Sequence, residues 1–164
     1  MQKPTTYPIH HNFPGHLSTM PRPSGGAALT ADLTSLRARG TDILVSALTE
    51  REQQDLHLTA EATTATEAGL EFHAIPIGDF GIPNRDEITP TLTHLLDRLH
   101  GGAHVVVHCW AGIGRSSLLA ASLLVMDGVA PTTAWQLITD ARGVTVPETN
   151  EQRAWVDPFH VKHD

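Results

Sequence analysis

The segment His108-Cys109-Trp110-Ala111-Gly112-Ile113-Gly114-Arg115-Ser116-Ser117 restricts what this chain can fold into more tightly than any other stretch. The apolar run Val105-Val106-Val107 precedes it, and a second run, Leu118 to Met126, follows. That order predicts a strand, a tight loop and a helix. The only cysteine of the chain stands at the junction, where a helix N-terminus faces it.

A helix N-terminus leaves N–H groups unpaired and carries partial positive charge. A loop curling into that end aims further N–H groups at one point and makes an anion site. Gly112 and Gly114 allow backbone conformations that other residues resist, and they clear space for a tetrahedral anion. Arg115 comes six residues after Cys109, so the loop closes with its guanidinium facing the sulfur. Arginine grips two phosphate oxygens at once, which lysine cannot do. The same positive field favours the thiolate, the form that attacks. Ser116 is placed to hydrogen-bond that thiolate and help it leave. Trp110, Ala111, Gly112, Ile113, Gly114 and Arg115 are thus the expected phosphate-binding loop. A buried strand-end cysteine beside a glycine turn would explain a lone Cys109. It does not explain five identities at set offsets, His108, Cys109, Gly112, Arg115 and Ser116.

The rest of the chain supplies layers around this unit. Residues 1–28 are rich in proline and glycine and form a lead-in, with short strands expected around Tyr7–His10 and Gly15–Ser18. Arg22 lies there between two prolines and is expected in solvent, with a place near the pocket mouth as the alternative. Thr30 opens a helix that carries Leu33 and Leu36 on one face and stops at Gly40. Residues 42–48 read as a buried parallel strand. Thr49 with Glu52 fits a capping box, so Glu50-Arg51-Glu52 reads as a helix start. A helical stretch from Ala60 to Ala68 and a strand from Leu70 to Ile77 follow. Residues 78–84 make a loop. Ile88, Leu92, Leu95, Leu96 and Leu99 fall at helical spacing, with Pro90 in the first turn. The helix after Arg115 is apolar nearly all round and is expected in the core. A helix runs through Arg142, and Asn150 caps a last short one ended by Pro158. Strands alternate with helices, which predicts an α/β fold with a mainly parallel central sheet flanked by helices. At 164 residues the chain reads as one domain, 1–164. Ligands of such sheets sit beyond the carboxyl ends of the strands, where Cys109 lies.

Cleaving a phosphoester requires a proton for the leaving oxygen. Asp79 follows a strand at the same carboxyl end and is the expected acid, with Asp86 and Glu87 as fallbacks in what looks more like a helix start.

His-Cys-x-x-Gly-x-x-Arg-Ser, as it stands at 108–116, resembles the signature of the cysteine-based protein tyrosine and dual-specificity phosphatase superfamily. Pro76-Ile77-Gly78-Asp79-x-Gly81-x-Pro83 resembles the acid loop of the kinase-associated dual-specificity phosphatases. Arg142-Gly143-Val144-Thr145-Val146-Pro147, followed by Gln152, is similar to a loop beside the active site in the phosphatase-and-tensin group. The likeness implies the cysteine phosphatase fold and a phosphocysteine mechanism. In it Cys109 attacks phosphorus, Arg115 and the loop hold the oxygens, Asp79 serves as acid and then base, and Ser116 assists release. His108 would brace the loop. Gln152 would either orient the hydrolytic water or lie on a helix surface, and Thr145 would support its loop. No metal and no cofactor are needed, because Arg115 and the loop dipoles supply positive charge. Trp110 and Ile113 stand where the lipid phosphatases of that group have lysines. That favours a phosphorylated protein, phosphotyrosine with phosphoserine or phosphothreonine also admitted, over an inositol phosphate. A phosphate-reading module without catalysis, or an inositol phosphate phosphatase, is the alternative.

Composition excludes other classes. A net charge of −7 argues against nucleic acid and acidic membranes as partners. No run of 18 apolar residues is present. One cysteine forms no internal disulfide and suits a reducing cytoplasm. Eleven histidines are scattered along the sequence without a zinc-like pattern with cysteines.

Overall fold

The computed structural model describes residues 4–160. Five strands form one sheet in the order β1-β2-β5-β3-β4. They are β1 (Tyr7–Ile9), β2 (His16–Met20), β3 (Ile43–Ser46), β4 (Glu71–Ala74) and β5 (His104–His108). Only β1 runs antiparallel to its neighbour; β2, β5, β3 and β4 are parallel. The expected mainly parallel sheet is thus present, with β5, the strand that carries Cys109, at its centre.

Successive strand residues face opposite sides, and the helices divide accordingly. Val105 and Val107, with Ile43 and Val45, share a core with Leu92, Leu95 and Leu99 of α4 (Arg85–His100) and with α5 (Arg115–Met126). Val106 and Leu44 face the other way, onto Leu33 and Leu36 of α1 (Leu29–Ala38) and Ala65 of α3 (Glu61–Glu67). Every residue from Arg115 to Val125 is buried, so α5 is the core helix its composition predicted. Between these elements lie α2 (Glu50–Asp55), α6 (Pro131–Arg142) and α7 (Asn150–Trp155).

Several boundaries move for identifiable reasons. Helix α1 begins at Leu29 after a 3-10 turn over Gly26–Ala28, and no side chain caps it. The strand expected to reach Ile77 has a ladder only to Ala74, because Pro76 has no N–H to offer. The chain nonetheless stays on β3, since Ile75 N–H donates to Ser46 O (2.8 Å) and Ile77 N–H to Ala47 O (3.0 Å). Asn84, whose side chain accepts from Glu87 N–H, caps α4, which puts Pro90 in its second turn, not its first. Thr149, not Asn150, caps α7, in a capping box with Gln152.

Two of the scattered histidines meet at the end of the sheet away from Cys109. His73 and His94 each place Nε2 2.7 Å from Glu71 Oε2, and Arg98 pairs with the other oxygen. Burial alone would raise the Glu71 pKa, but these partners outweigh it and lower it to about 2.

Two stability measurements test this frame. Leu123→Ala is expected to lower unfolding free energy by about 2–5 kcal/mol in denaturant melts, because it empties space on a fully buried helix. Glu71 is held below its unfolded pKa, so its contribution is present above about pH 4.5 and is lost as pH falls toward about 2. Glu71→Gln is therefore expected to cost about 1 kcal/mol near neutral pH, after allowance for solvent screening, and nothing at pH 2.

Candidate active site

The site gathers where β5 and β3 end and α5 begins. Cys109 follows β5 and is 2% exposed. Its Sγ lies 3.2 Å from Ser116 Oγ, so the serine hydroxyl can donate to a thiolate there. Ser116 is in the first turn of α5, which brings two residues seven apart in sequence together.

The loop between them is held open by two arginines. Arg22 binds the Trp110 carbonyl through its own N–H (3.1 Å) and Nη1 (3.3 Å). Arg22 is exposed, as expected, yet its guanidinium lies 5.1 Å from the centre of the Trp110 ring and so stands at the site's edge. Arg142 binds the Ala111 carbonyl through Nη2 (3.2 Å) and the Gly112 carbonyl through Nε (3.1 Å). In a planar trans peptide the N–H points opposite to its C=O. With these three carbonyls drawn outward, the N–H groups of Ala111, Gly112 and Ile113 face the interior of the loop. That is the anion cradle expected from the glycine spacing, and the arginines that shape it were not legible as such in the sequence.

The two loop glycines have different reasons. Gly112 adopts φ +74°, and a Cβ there would meet Met20 and Pro21 backbone at 2.9 Å. Gly114 has φ −94°, which any residue adopts. A Cβ there would come within 2.2 Å of Glu148 Oε1 and would push that side chain aside.

Arg115 is buried at the mouth of the cradle. Nη1 donates to Glu52 Oε1 (2.6 Å) and to Ile77 O (2.8 Å), while Nη2 donates to Glu52 Oε2 (2.9 Å) and lies 3.4 Å from Asp79 Oδ1. Burial would lower the arginine's pKa, but Glu52, with Cys109 and Asp79, raises it. Burial would likewise raise the Glu52 pKa, and the bonds from Arg115 and Thr49 lower it. Both partners therefore carry their charge. Glu52 Oε1 also accepts from Thr49 N–H and Oγ1–H, closing the capping box of α2. The segment that read only as a helix start thus also fixes the arginine.

Asp79 lies on the loop after Ile77, its side chain 55% exposed, with Oδ1 accepting from Phe80 N–H. It faces the same cleft of about 460 Å³ as Cys109, Arg115, Trp110 and Glu148. Asp86 and Glu87 sit in the first turn of α4 and do not line that cleft.

His108 braces the loop as expected. Its Nδ1 donates to Cys109 O (3.2 Å) and its Nε2 lies 2.5 Å from Glu61 Oε2, both side chains buried. Glu61 had looked like an ordinary helix residue; no sequence pattern marks it. Gln152 does not lie on a helix surface. It is fully buried, its Oε1 accepts from Glu148 and Thr149 N–H, and its Nε2 donates to Gly81 O (3.3 Å). It therefore ties the acid loop to the segment carrying Glu148. Thr145 is exposed and does not line the cleft, so the expected support role has no basis in the geometry.

Two substitutions test this framework. Glu52→Gln is expected to weaken vanadate binding about 10- to 100-fold by calorimetry, as one charged partner of Arg115 is lost. Arg142→Ala is expected to weaken it about tenfold by freeing the Ala111 and Gly112 carbonyls.

A family model described as "Polymorphic toxin system, DSP-PTPase phosphatase" matches residues 18–129. The chain is 31% identical over 98 residues to cyclin-dependent kinase inhibitor 3 of Homo sapiens, which covers 58% of this chain and 46% of that protein. The Rattus norvegicus protein of that name is 31% identical over 96 residues, 57% of this chain and 45% of that one. The chain thus spans about half the length of the curated relatives it matches. Among solved structures, kinase-associated phosphatase with its catalytic-site cysteine replaced by serine superposes with a TM-score of 0.88 at 21% identity, covering 97% of this chain and 95% of that one. PTPMT1 in complex with PI(5)P superposes at 0.74 and 20% identity, covering 93% and 94%. These likenesses establish the α/β fold, and with the matched family model they show that the chain belongs to the DSP-PTPase phosphatases of polymorphic toxin systems, within the dual-specificity phosphatase superfamily.

Proposed function

We propose that this chain is a phosphomonoester hydrolase of the dual-specificity type that acts through a phosphocysteine intermediate. The observation that carries the proposal is the arrangement around Cys109, whose loop aims three N–H groups inward while Arg115 faces the same cleft. Phosphate oxygens seated there meet N–H donors and a guanidinium that develop full contact as phosphorus becomes five-coordinate. The Cys109 sulfur attacks phosphorus, the ester P–O bond breaks with its electron pair on oxygen, and Asp79 gives that oxygen a proton. Water then breaks the P–S bond, and Ser116 stabilises the departing thiolate. His108 holds the loop throughout. No step requires a metal ion or a cofactor.

For substrate, we favour a phosphorylated protein side chain, phosphotyrosine first. Phe80 and Trp110, both exposed, flank the cleft and offer apolar faces to an aryl ring. Phe80 holds φ +60°, a left-handed conformation that costs a non-glycine residue about 1–2 kcal/mol, and it projects at the mouth. Among the described residues the lining has four carboxylates, Glu52, Asp55, Asp79 and Glu148, against the guanidinium groups of Arg51 and Arg115. A second phosphate would meet repulsion there, which disfavours an inositol polyphosphate. A reducing compartment such as the cytoplasm would keep Cys109 in its working form.

The test is hydrolysis of an aryl phosphate with chelator present. Wild type is expected to turn over, Cys109→Ser to be inactive, and Asp79→Asn to be slowed about 10²- to 10⁴-fold on a substrate whose leaving group needs a proton. A wild type that binds vanadate but hydrolyses nothing would leave a phosphate reader in place of an enzyme.

A further inference from the structure

Two carboxylates of the cleft, Asp55 and Glu148, have no part in the mechanism above. Glu148 comes from the segment between α6 and α7 and lines the cleft with Cys109, Asp79 and Arg115. It sits directly against the phosphate-binding loop, since only the missing side chain of Gly114 leaves room for its Oε1. It is also held in place. Gln152 accepts the Glu148 N–H at 3.0 Å, and the same amide reaches Gly81 on the acid loop. The backbone segments that carry Glu148 and Asp79 are therefore tied through one buried glutamine, and the Asp79 charge raises the proton affinity of Glu148.

We propose that Glu148 is the base of the hydrolytic half-reaction, so that Asp79 and Glu148 divide the acid and base work. The inference rests on the phosphocysteine reading above. After the leaving group has departed with the Asp79 proton, water takes its place in the cleft. The water oxygen attacks phosphorus, and one of its protons passes to the Glu148 carboxylate. The P–S bond breaks with its electron pair on sulfur, restoring the Cys109 thiolate and releasing inorganic phosphate. Glu148 then returns its proton to solvent.

Three features favour Glu148 over its neighbours. Gln152, at the position where the sequence pointed to a water-orienting group, already spends its carbonyl oxygen on two backbone N–H groups. Both carboxylates are exposed, but Asp79 lies on the loop beside Phe80, whereas Glu148 lies against Gly114 at the start of α5. Burial first, and then the charge of Asp79, raises the proton affinity of Glu148, with Arg115 opposing; a carboxylate so raised is a stronger base.

The two halves of the reaction separate in a stopped-flow experiment with para-nitrophenyl phosphate, whose leaving group needs no proton. Wild type, Glu148→Gln and Glu148→Ala are compared under the same conditions. Both variants are expected to release a stoichiometric burst of nitrophenolate at the wild-type rate, which also shows that they are folded. Steady turnover is expected to fall about 10- to 100-fold. Phosphorylated enzyme then accumulates and is seen in the intact mass of acid-quenched samples. Glu148→Asp, which keeps a carboxylate, is expected to recover part of the turnover. Variants that turn over at the wild-type rate overturn the inference and leave the phosphatase reading standing. So do variants whose burst and turnover fall together, because Glu148 then acts before the intermediate. A wild type that releases no nitrophenolate overturns the phosphatase reading and the inference with it.

Discussion

The two-pronged pair between Arg115 and Glu52 is the interaction on which the site depends. It joins the first turn of α5 to the first turn of α2, and so the central strand's loop to a neighbouring crossover. Glu52 is fixed in turn by Thr49, and Arg115 by the Ile77 carbonyl at the foot of the acid loop. Removing one partner of such a buried pair leaves an uncompensated charge and costs about 3–5 kcal/mol. The guanidinium is thereby held at one place before any phosphate arrives, which spares the ordering cost at the moment of binding.

Around that pair the protein spends charged side chains on backbone geometry. Arg22 and Arg142 do not face the cleft's anion; they turn three carbonyls outward so that three N–H groups turn inward. Arg142 is steadied by the Tyr7 ring 4.3 Å from its guanidinium, so the edge strand β1 contributes to the cradle although it lies outside the parallel part of the sheet. Glu61 and His108 do similar work from beneath. Their buried contact fixes the imidazole against the Cys109 carbonyl, while Glu61 Oε1 has no partner among the described residues. A buried carboxylate with one oxygen unsatisfied is costly, and the rigid placement of the cysteine is the evident return.

The rim is built differently from the base. Phe80 and Trp110 are exposed, and the surrounding charges are mostly carboxylates. The base is thus positive and made of backbone dipoles and one arginine, whereas the rim is apolar and negative. In the proposed reaction such a division favours one phosphate on an apolar stem over a second.

The sequence by itself determined the strand–loop–helix unit at 105–126, the parallel α/β layers, and the meeting of Cys109, Arg115 and Ser116 at one loop. These follow from local periodicity and from offsets within one short stretch, where chain connectivity leaves little choice of geometry. Asp79 was legible too, because the carboxyl end of a parallel strand in this fold delivers its loop to the same edge of the sheet. Only the tertiary structure decided the partners. Glu52, Glu61, Arg22, Arg142 and Glu148 lie between 33 and 87 residues from Cys109 along the chain, some of them in turns whose local signals, a capping box or a helix end, already explained them. Gln152 shows the same limit from the other side. Its position drew it to the site correctly, but whether its amide faced water or backbone depended on Gly81, 71 residues away, and no local pattern encodes a contact across that distance.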